Sequence, residues 1–172
     1  METPDTPWAK NDDIRIHKPK ILPPHQAAIF FYEFLKSKHI VFGRMINLGG
    51  GNGQNTVYFA ERGFEVHCVD KNHLQDIDLH GVTPHSHNIG DFWQFETDYF
   101  DIGFDVSCYV GLQDTDKKVY RNELKRVIQS DGLFILSIPE KDSEKIEKEF
   151  SDFRLELKKK IENQVLLIMR LP

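Results

Sequence analysis

The stretch that decides the fold is residues 45–70, which read MINLGGGNGQNTVYFAERGFEVHCVD. An apolar run ends in a group of glycines, and a segment with helical periodicity follows it. Gly63 predicts the end of that helix, and residues 64–69 then alternate like a strand that leads to Asp70. The order of strand, glycine loop, helix, strand and acid indicates the half-sheet unit of nucleoside-binding α/β proteins.

The glycines of this loop suit close contact with a ligand. Gly49, Gly51 and Gly53 can adopt positive φ and let bare backbone approach a bound molecule. The helix that begins near Gly53 directs unpaired N–H groups at that molecule. Asp70 can accept hydrogen bonds from both hydroxyls of a ribose. The alternative, a tight turn with no ligand, does not account for an acid at this distance between two strand-like runs.

The spacing of the glycines separates two classes of nucleotide-binding protein. A dinucleotide-binding loop needs Gly-x-Gly-x-x-Gly, but the sixth position is Gln54 when counted from Gly49 and Thr56 when counted from Gly51. Neither register fits, so a nicotinamide-dependent oxidoreductase is a distant alternative.

The pattern Asn47-x-Gly49-x-Gly51-x-Gly53 resembles motif I of the class I S-adenosylmethionine (SAM) methyltransferases. Together with the residues that follow, up to Asn72, it is most similar to the tellurite-resistance methyltransferase group. A looser similarity in the order of strands and helices runs from about Pro23 to the end of the chain. One departure is Asn47, which stands where the family has an acid.

The resemblance implies a SAM site at the carboxyl ends of the first four strands. Asn88 takes the place of the side chain that reads the adenine amino group, with Ile89 behind the ring and Asp91 as the close alternative to Asn88. Tyr109 ends the predicted fourth strand beside the site. The expected cofactor-binding residues are Asn47, Gly49, Gly51, Asn52, Gly53, Asp70, Lys71, Asn88, Ile89 and Tyr109.

The predicted fold is a Rossmann-like, doubly wound α/β domain with a seven-stranded, mostly parallel sheet and a C-terminal antiparallel hairpin. It spans residues 23–172 and follows an N-terminal extension, residues 1–22, in which Trp8 covers an apolar patch or acts as a lid. The expected helices are 26–38, 72–79, 117–129 and 141–150. The expected strands after Asp70 are 84–89, 104–109, 133–138, 153–161 and 165–171.

Composition narrows the possible partners. The chain has 172 residues and a net charge of −5, which disfavours a generic binder of nucleic-acid phosphates. No membrane-length apolar run or signal peptide is visible, so the expected location is the cytoplasm. Cys68 and Cys108 are expected in strands as buried free thiols. His80, His85 and His87 lack a nearby fourth ligand, so no metal site is expected.

The predicted function is methyl transfer from SAM to a small molecule. A soft sulfur, selenium or tellurium nucleophile would need no general base, whereas a hydroxyl or amine would need one. Tyr109 and His25 are the candidate bases, and the catalytic residues stay open. The alternative is a SAM-binding module or partner subunit without catalysis, which the loss of the acid at Asn47 suggests.

Overall fold

The computed structural model describes residues 22–72 and 80–172 of the chain. In these residues one sheet contains seven strands in the order β3-β2-β1-β4-β5-β7-β6, with β1 to β5 parallel and β7 antiparallel to both of its neighbours. The strands are β1 (Gly43–Leu48), β2 (Phe64–Asp70), β3 (Val82–Ser86), β4 (Phe100–Val106), β5 (Ile128–Pro139), β6 (Arg154–Ile161) and β7 (Gln164–Arg170). The helices are α1 (Gln26–Ser37), α2 (Gln54–Ala60), α3 (Asp114–Val127) and α4 (Ser143–Glu149). The predicted fold class and closing hairpin are confirmed.

Apolar side chains pack on both faces of this sheet. On one face α1 and α2 bury Phe31 and Phe59 against Phe104 of β4, with ring centroids 6.1 and 5.1 Å from the Phe104 ring. On the other face α3 buries Tyr120 beside Trp93 and Phe134. Removal of these large rings from water provides most of the driving force for folding, and edge-to-face pairs add to it. Helix α1 buries the predicted face, although Phe34 is only half-buried.

Three predicted strands have clearly different ends in the structure, and one of them, β5, begins at Ile128 rather than at residue 133. Strand β3 covers residues 82–86 rather than 84–89, so Asn88 and Ile89 lie in the loop after it. Strand β4 covers residues 100–106 rather than 104–109. The chain turns at Ser107, whose φ is +63°, and Tyr109 begins a short 3-10 helix. The prediction that Cys108 lies in a strand is therefore wrong, whereas Cys68 does lie in β2, and both are free thiols.

Helix α3 buries a more polar face than the sequence pattern predicts. It spans residues 114–127 instead of 117–129, and Val119, expected on the buried side, is 37% exposed. Glu123 is buried instead, because its carboxylate accepts a hydrogen bond from the Trp93 N–H at 2.8 Å and pairs with Arg126 at 2.6 Å. A buried carboxylate is tolerated when it is paired and hydrogen-bonded in this way.

The aromatic run from residue 92 to residue 100 splits between core and surface. Trp93 and Phe100 are fully buried, as expected, while Phe92 is 63% exposed with the Arg126 guanidinium 4.5 Å from its ring centroid. Helix α4 is shorter than the predicted 141–150, because a 3-10 turn at residues 140–142 precedes it.

The hairpin of β6 and β7 closes one edge of the sheet. Its edge strand, β6, is exposed on most positions and carries the predicted lysines. Lys158 pairs with Glu147 at 2.6 Å and Lys160 pairs with Glu140 at 2.7 Å. Charges on an edge strand oppose pairing with another chain. The predicted helix over residues 72–79 falls, apart from Asn72, outside the described residues, and so does Trp8. None of the described helices is long and apolar enough to cross a membrane.

Gly103 offers a test of how tightly the centre of the sheet is packed. A Cβ at this position would lie 2.6 Å from Ile128 Cδ1 and 2.8 Å from Phe134 Cδ2. We expect Gly103→Ala to lower the free energy of unfolding by about 1–3 kcal/mol, because overpacking displaces both side chains. Urea unfolding measures the change. Lys159→Ala, on the exposed edge, should stay within about 0.5 kcal/mol of the parent. Equal stability of the two variants would contradict this packing.

Candidate cofactor site

A cavity of about 250 Å³ lies at the carboxyl ends of the parallel strands. Its walls come from the ends of β1 and β2 and from the loops after β3 and β4. The connection after β1 runs to β2 and the connection after its neighbour β4 runs to β5, in opposite directions along the sheet. Ligands bind at such a place in doubly wound folds. The lining residues are Gly49, Asp70, Lys71, Asn72, Asn88, Ile89, Cys108, Gly111 and Leu112. Larger grooves of about 450 and 640 Å³ elsewhere in the described residues include neither the glycine loop nor Asp70.

The glycine loop has the backbone geometry that the sequence predicts. Gly49, Gly51 and Gly53 have φ values of 70°, 52° and 75°, in the left-handed region that favours glycine. At Gly49 the need for glycine is also steric, since a Cβ there would lie 1.8 Å from Cys108 Sγ. The β1 and β4 loops therefore touch directly at the floor of the cavity.

Asp70 joins the ends of the first two strands. Its Oδ2 accepts a hydrogen bond from the Gly51 N–H at 2.9 Å, and its Oδ1 accepts one from the Asn72 N–H at 2.8 Å. Each carboxylate oxygen has a second acceptor position. Asp70 can therefore hold the glycine loop and still accept hydrogen bonds from a ligand in the cavity.

Asn47 lies behind the glycine loop and is not among the residues that line the cavity. It is 2% exposed, and its Nδ2 donates a hydrogen bond to Thr56 Oγ1 at 2.7 Å. This bond ties β1 to the first turn of α2. Cys68 pairs with Asn47 across the sheet, and burial raises the pKa of the Cys68 thiol to about 12. In this structure Asn47 positions the loop from beneath.

Asn88 and Ile89 form the wall of the cavity beyond β3. Asn88 Oδ1 accepts a hydrogen bond from the Gly90 N–H at 3.1 Å, which leaves the amide N–H groups of its side chain free for a ligand. Ile89 is 7% exposed, and its carbonyl accepts a hydrogen bond from Trp93 Nε1 at 3.0 Å. Asp91, the alternative to Asn88, is exposed and does not line the cavity.

Asp105 sets the course of the chain after β4. Its buried carboxylate accepts hydrogen bonds from the Cys108 N–H at 2.8 Å, the Tyr109 N–H at 3.1 Å and the Tyr120 hydroxyl at 2.5 Å. Burial raises the pKa of Asp105 from 3.8 to about 6, although these three hydrogen bonds act in the opposite direction. The turn that they fix directs Cys108 into the cavity.

The same turn directs Tyr109 away from the cavity, which corrects the prediction that its side chain contacts the cofactor. The ring is fully buried and packs against Tyr120 and Phe150, with centroids 5.1 and 5.0 Å away. Its hydroxyl donates to Glu149 at 2.5 Å and accepts a hydrogen bond from Arg121. Burial raises the pKa of Tyr109, so it is a poor candidate for a general base.

His25, the second candidate base, is also outside this cavity. Its Nδ1 accepts a hydrogen bond from the Ala27 N–H at 3.1 Å and so caps α1, while its own backbone N–H donates to Asn55 Oδ1 at 2.8 Å. A neutral imidazole that accepts at Nδ1 carries its proton on Nε2. In this geometry His25 is a donor rather than a base. It lines a second groove of about 350 Å³ between the start of α1 and the turn joining β6 to β7.

Two of the three histidines considered as metal ligands, His85 and His87, have other partners. His85 Nε2 lies 2.9 Å from His67 Nδ1, and burial lowers the pKa of His85. His87 Nε2 lies 2.7 Å from the Phe92 carbonyl oxygen. Within residues 22–72 and 80–172, no three or more His, Cys, Asp and Glu side chains are arranged to hold a metal ion.

The predicted site residues thus fall into three groups. Gly49, Asp70, Lys71, Asn88 and Ile89 line the cavity, whereas Gly51, Asn52 and Gly53 belong to the loop above it and Asn47 and Tyr109 point elsewhere. Sequence reasoning missed Asn72 and Cys108 as lining residues. A usable signal was Asp105, since an aspartate side chain that bonds nearby backbone N–H groups ends a strand in a turn.

Comparison with known proteins supports the sequence resemblance. The family model described as "Tellurite resistance protein TehB" matches residues 25–109, which include the glycine loop, Asp70 and Asn88. Among curated proteins, none matches the chain. The resemblance to the tellurite-resistance methyltransferase group, which was based on the glycine pattern, is confirmed. The family and the structural neighbours are SAM-dependent methyltransferases, which is the enzyme class that the sequence predicted.

Solved structures share the fold at low sequence identity. The 1,6-didemethyltoxoflavin-N1-methyltransferase of Burkholderia thailandensis, with 1,6-didemethyltoxoflavin and S-adenosylhomocysteine bound, has a TM-score of 0.72 and 14% identity over 85% of this chain and 78% of its own. TehB of Haemophilus influenzae has a TM-score of 0.67 and 12% identity, with 86% of this chain and 62% of its own covered. The ribosomal protein L11 methylase of Lactobacillus delbrueckii subsp. bulgaricus has a TM-score of 0.68 and 14% identity, with 88% and 81% covered.

Because Gly49 lies against Cys108, we expect an alanine to lower the stability of the fold at Gly49 but not at Gly111, the other cavity glycine compared. Gly49→Ala combines a left-handed φ with a Cβ that overlaps Cys108 Sγ, so we expect it to cost about 1–3 kcal/mol of unfolding free energy. Gly111→Ala is the matched control, because a Cβ there meets nothing within 4 Å. Chemical denaturation of both variants measures the difference. Similar stabilities for the two would contradict the close approach.

Because Tyr120 donates a hydrogen bond to Asp105, we expect the loss of its hydroxyl to lower the free energy of unfolding by an amount that depends on pH. Because the folded pKa of Asp105 is raised, this group stabilises the fold most below pH 4 and loses that contribution as the pH rises through about 6. Tyr120→Phe removes a donor from the carboxylate, so it should cost about 1.5–3 kcal/mol at pH 8, where Asp105 is charged, and less at pH 5. Tyr32→Phe, whose lost hydroxyl bonds no described residue, is the control. An equal loss at both pH values would count against a titrating Asp105.

Proposed function

We propose that this chain, whose residues 25–109 match the TehB family model, transfers a methyl group from SAM to a small-molecule acceptor, with SAM in the cavity beside the glycine loop. The observation that carries the proposal is the meeting of Gly49, Asp70 and Asn88 in one cavity at the ends of three neighbouring strands. A backbone platform, an acid for a ribose and an amide for a base are the parts that a nucleoside needs.

The residues present fit such a cofactor. Asp70 keeps free acceptor positions for the two ribose hydroxyls while it holds Gly51 and Asn72. The free amide N–H groups of Asn88 suit a ring nitrogen of adenine, and Ile89 offers an apolar surface to the ring. The Gly49 backbone lines the cavity, where the part of the cofactor that carries the methyl group would lie. Lys71 and Asn52 are proposed for the rim of the site.

Transfer of a methyl group from a sulfonium is an in-line displacement, and SAM supplies the activated methyl when it is bound. This chain's residues contribute positioning: Asp70 fixes the nucleoside end, and the contact between Gly49 and Cys108 fixes the floor. Correct orientation alone accounts for a large part of the acceleration of such reactions. Neither candidate base, Tyr109 or His25, is placed to accept a proton, so the proposed acceptor is a soft nucleophile such as sulfur, selenium or tellurium.

The alternative function, a SAM-binding module without catalysis, rests on the missing acid at Asn47. The Asn47 side chain bonds Thr56 beneath the loop and does not line the cavity, so its lack of charge acts on the cofactor only from a distance. This arrangement favours the catalytic proposal. We further propose that residues 23–172 act as a single unit and that the protein works in the cytoplasm.

Cofactor choice tests the proposal directly. We expect isothermal titration calorimetry to show binding of S-adenosylhomocysteine and no binding of NAD, because the loop lacks the glycine spacing that accommodates a pyrophosphate. Tight binding of NAD without a response to S-adenosylhomocysteine would overturn the methyltransferase proposal.

Asp70→Asn removes the negative charge of the side chain proposed to bind the ribose but keeps its shape. The amide keeps one acceptor oxygen but loses a charge-assisted hydrogen bond, so the Kd for S-adenosylhomocysteine should rise about ten- to hundredfold. Asp91→Asn makes the same change in charge at an exposed position outside the cavity, and its Kd should match that of the parent. Melting temperatures of both variants check that the fold persists. If Asp70→Asn binds like Asp91→Asn, the ribose is held elsewhere.

A further inference from the structure

The second groove, of about 350 Å³, is linked to the proposed cofactor cavity by two chain segments. Gln54 lines it and immediately follows Gly53 of the glycine loop. Gln164, on the opposite wall, accepts a hydrogen bond from the Ser107 hydroxyl at 3.4 Å, and Ser107 precedes the cavity residue Cys108. The glycine loop and residues 107–108 therefore each connect the groove to the cavity. A methyl acceptor bound in the groove would lie next to the segments that hold the cofactor.

Side-chain amides dominate the polar surface of this groove. The lining includes Gln26, Gln54, Asn163 and Gln164. The first three of these amides form no side-chain hydrogen bond with a described residue. Gln164 has its Oε1 held by the hydroxyls of Ser107 and Ser137, each at 3.4 Å, so its amide N–H groups are the free end. A side-chain amide presents a donor next to an acceptor and pairs bidentately with a ligand edge that has the complementary order.

Charge in the groove is unsuited to an anion. Among the described lining residues there is no lysine or arginine, and Glu162 contributes a carboxylate. His25, with Nδ1 occupied by the α1 cap, adds an Nε2–H donor rather than a base. Oxyanions form their strongest hydrogen bonds with cationic side chains. Selenite and tellurite therefore have no counter-charge in this groove, while Pro23, Pro24 and Leu166 offer apolar contact to a neutral molecule.

We propose that this groove is the methyl-acceptor site and that it takes a small, uncharged N-heterocycle with a thioamide edge, a ring N–H next to C=S. This inference rests on the proposed function and narrows its soft nucleophiles to sulfur of that class. The sulfur forms a bond to the methyl carbon as the bond from that carbon to the sulfonium breaks, and the electron pair of the broken bond stays on the cofactor sulfur, giving S-adenosylhomocysteine. The ring N–H then loses its proton to water, which leaves a neutral S-methyl heterocycle, so no protein base is needed.

The experiment offers four acceptors with labelled SAM: 2-thiopyridone, 2-mercaptoethanol, selenite and tellurite. We expect methylation of 2-thiopyridone in preference to the others. Gln26→Ala and Gln54→Ala should each raise KM for 2-thiopyridone about three- to tenfold, the effect of one lost neutral hydrogen bond, with an unchanged Kd for S-adenosylhomocysteine. Gln129→Ala, which removes an exposed amide bonded to Asp101 at the other end of the sheet, should change neither value.

Binding provides a second measurement that does not depend on turnover. With saturating S-adenosylhomocysteine, 2-thiopyridone should shift the side-chain amide NMR signals of Gln54 and Asn163, and selenite should not. Preferential methylation of selenite or tellurite, or equal KM values in the parent and both glutamine variants, would overturn the acceptor class. Absence of any shift at these amides would overturn the location. Absence of S-adenosylhomocysteine binding would instead refute the proposed function on which the inference rests.

Discussion

The Asp70 carboxylate makes the contact on which the site depends. It accepts hydrogen bonds from the Gly51 and Asn72 backbones and so fixes the loop after β1 to the end of β2. Two parallel strands end side by side in any doubly wound sheet, but their loops are free to diverge. Here one side chain holds both loops at the edge of the cavity. The same atoms retain capacity for a ligand, so the loop geometry and the proposed nucleoside recognition depend on one carboxylate.

Asp105, which is fully buried, does for β4 what Asp70 does for β2. Its hydrogen bonds to two backbone N–H groups end the strand early and direct Cys108 against Gly49. The cost of burying Asp105 is reflected in its raised pKa of about 6. Short polar contacts at the strand ends thus shape the site, whereas the aromatic clusters on both faces of the sheet hold the strands in place.

Much of the fold could be predicted from the sequence because its signals are local. Glycine spacing and alternation in residues 64–69 each indicate one element, and the structure has both. The errors arose where a tertiary contact overrides the pattern. Tyr109 reads as the end of a strand, yet Asp105 turns the chain before it. Val119 fits the apolar face of α3, yet the buried Glu123, paired with the half-buried Arg126, occupies that face.

In the proposed function, the cavity between Asp70 and Cys108 holds the nucleoside part of SAM. The most direct measurement is a crystal structure of the chain with S-adenosylhomocysteine. We expect both ribose hydroxyls to lie within hydrogen-bonding distance of the Asp70 carboxylate, about 2.5–3.0 Å, and adenine to pack against Ile89. A ligand bound in another groove, or an Asp70 that bonds only the Gly51 and Asn72 backbones while the ribose lies elsewhere, would contradict it.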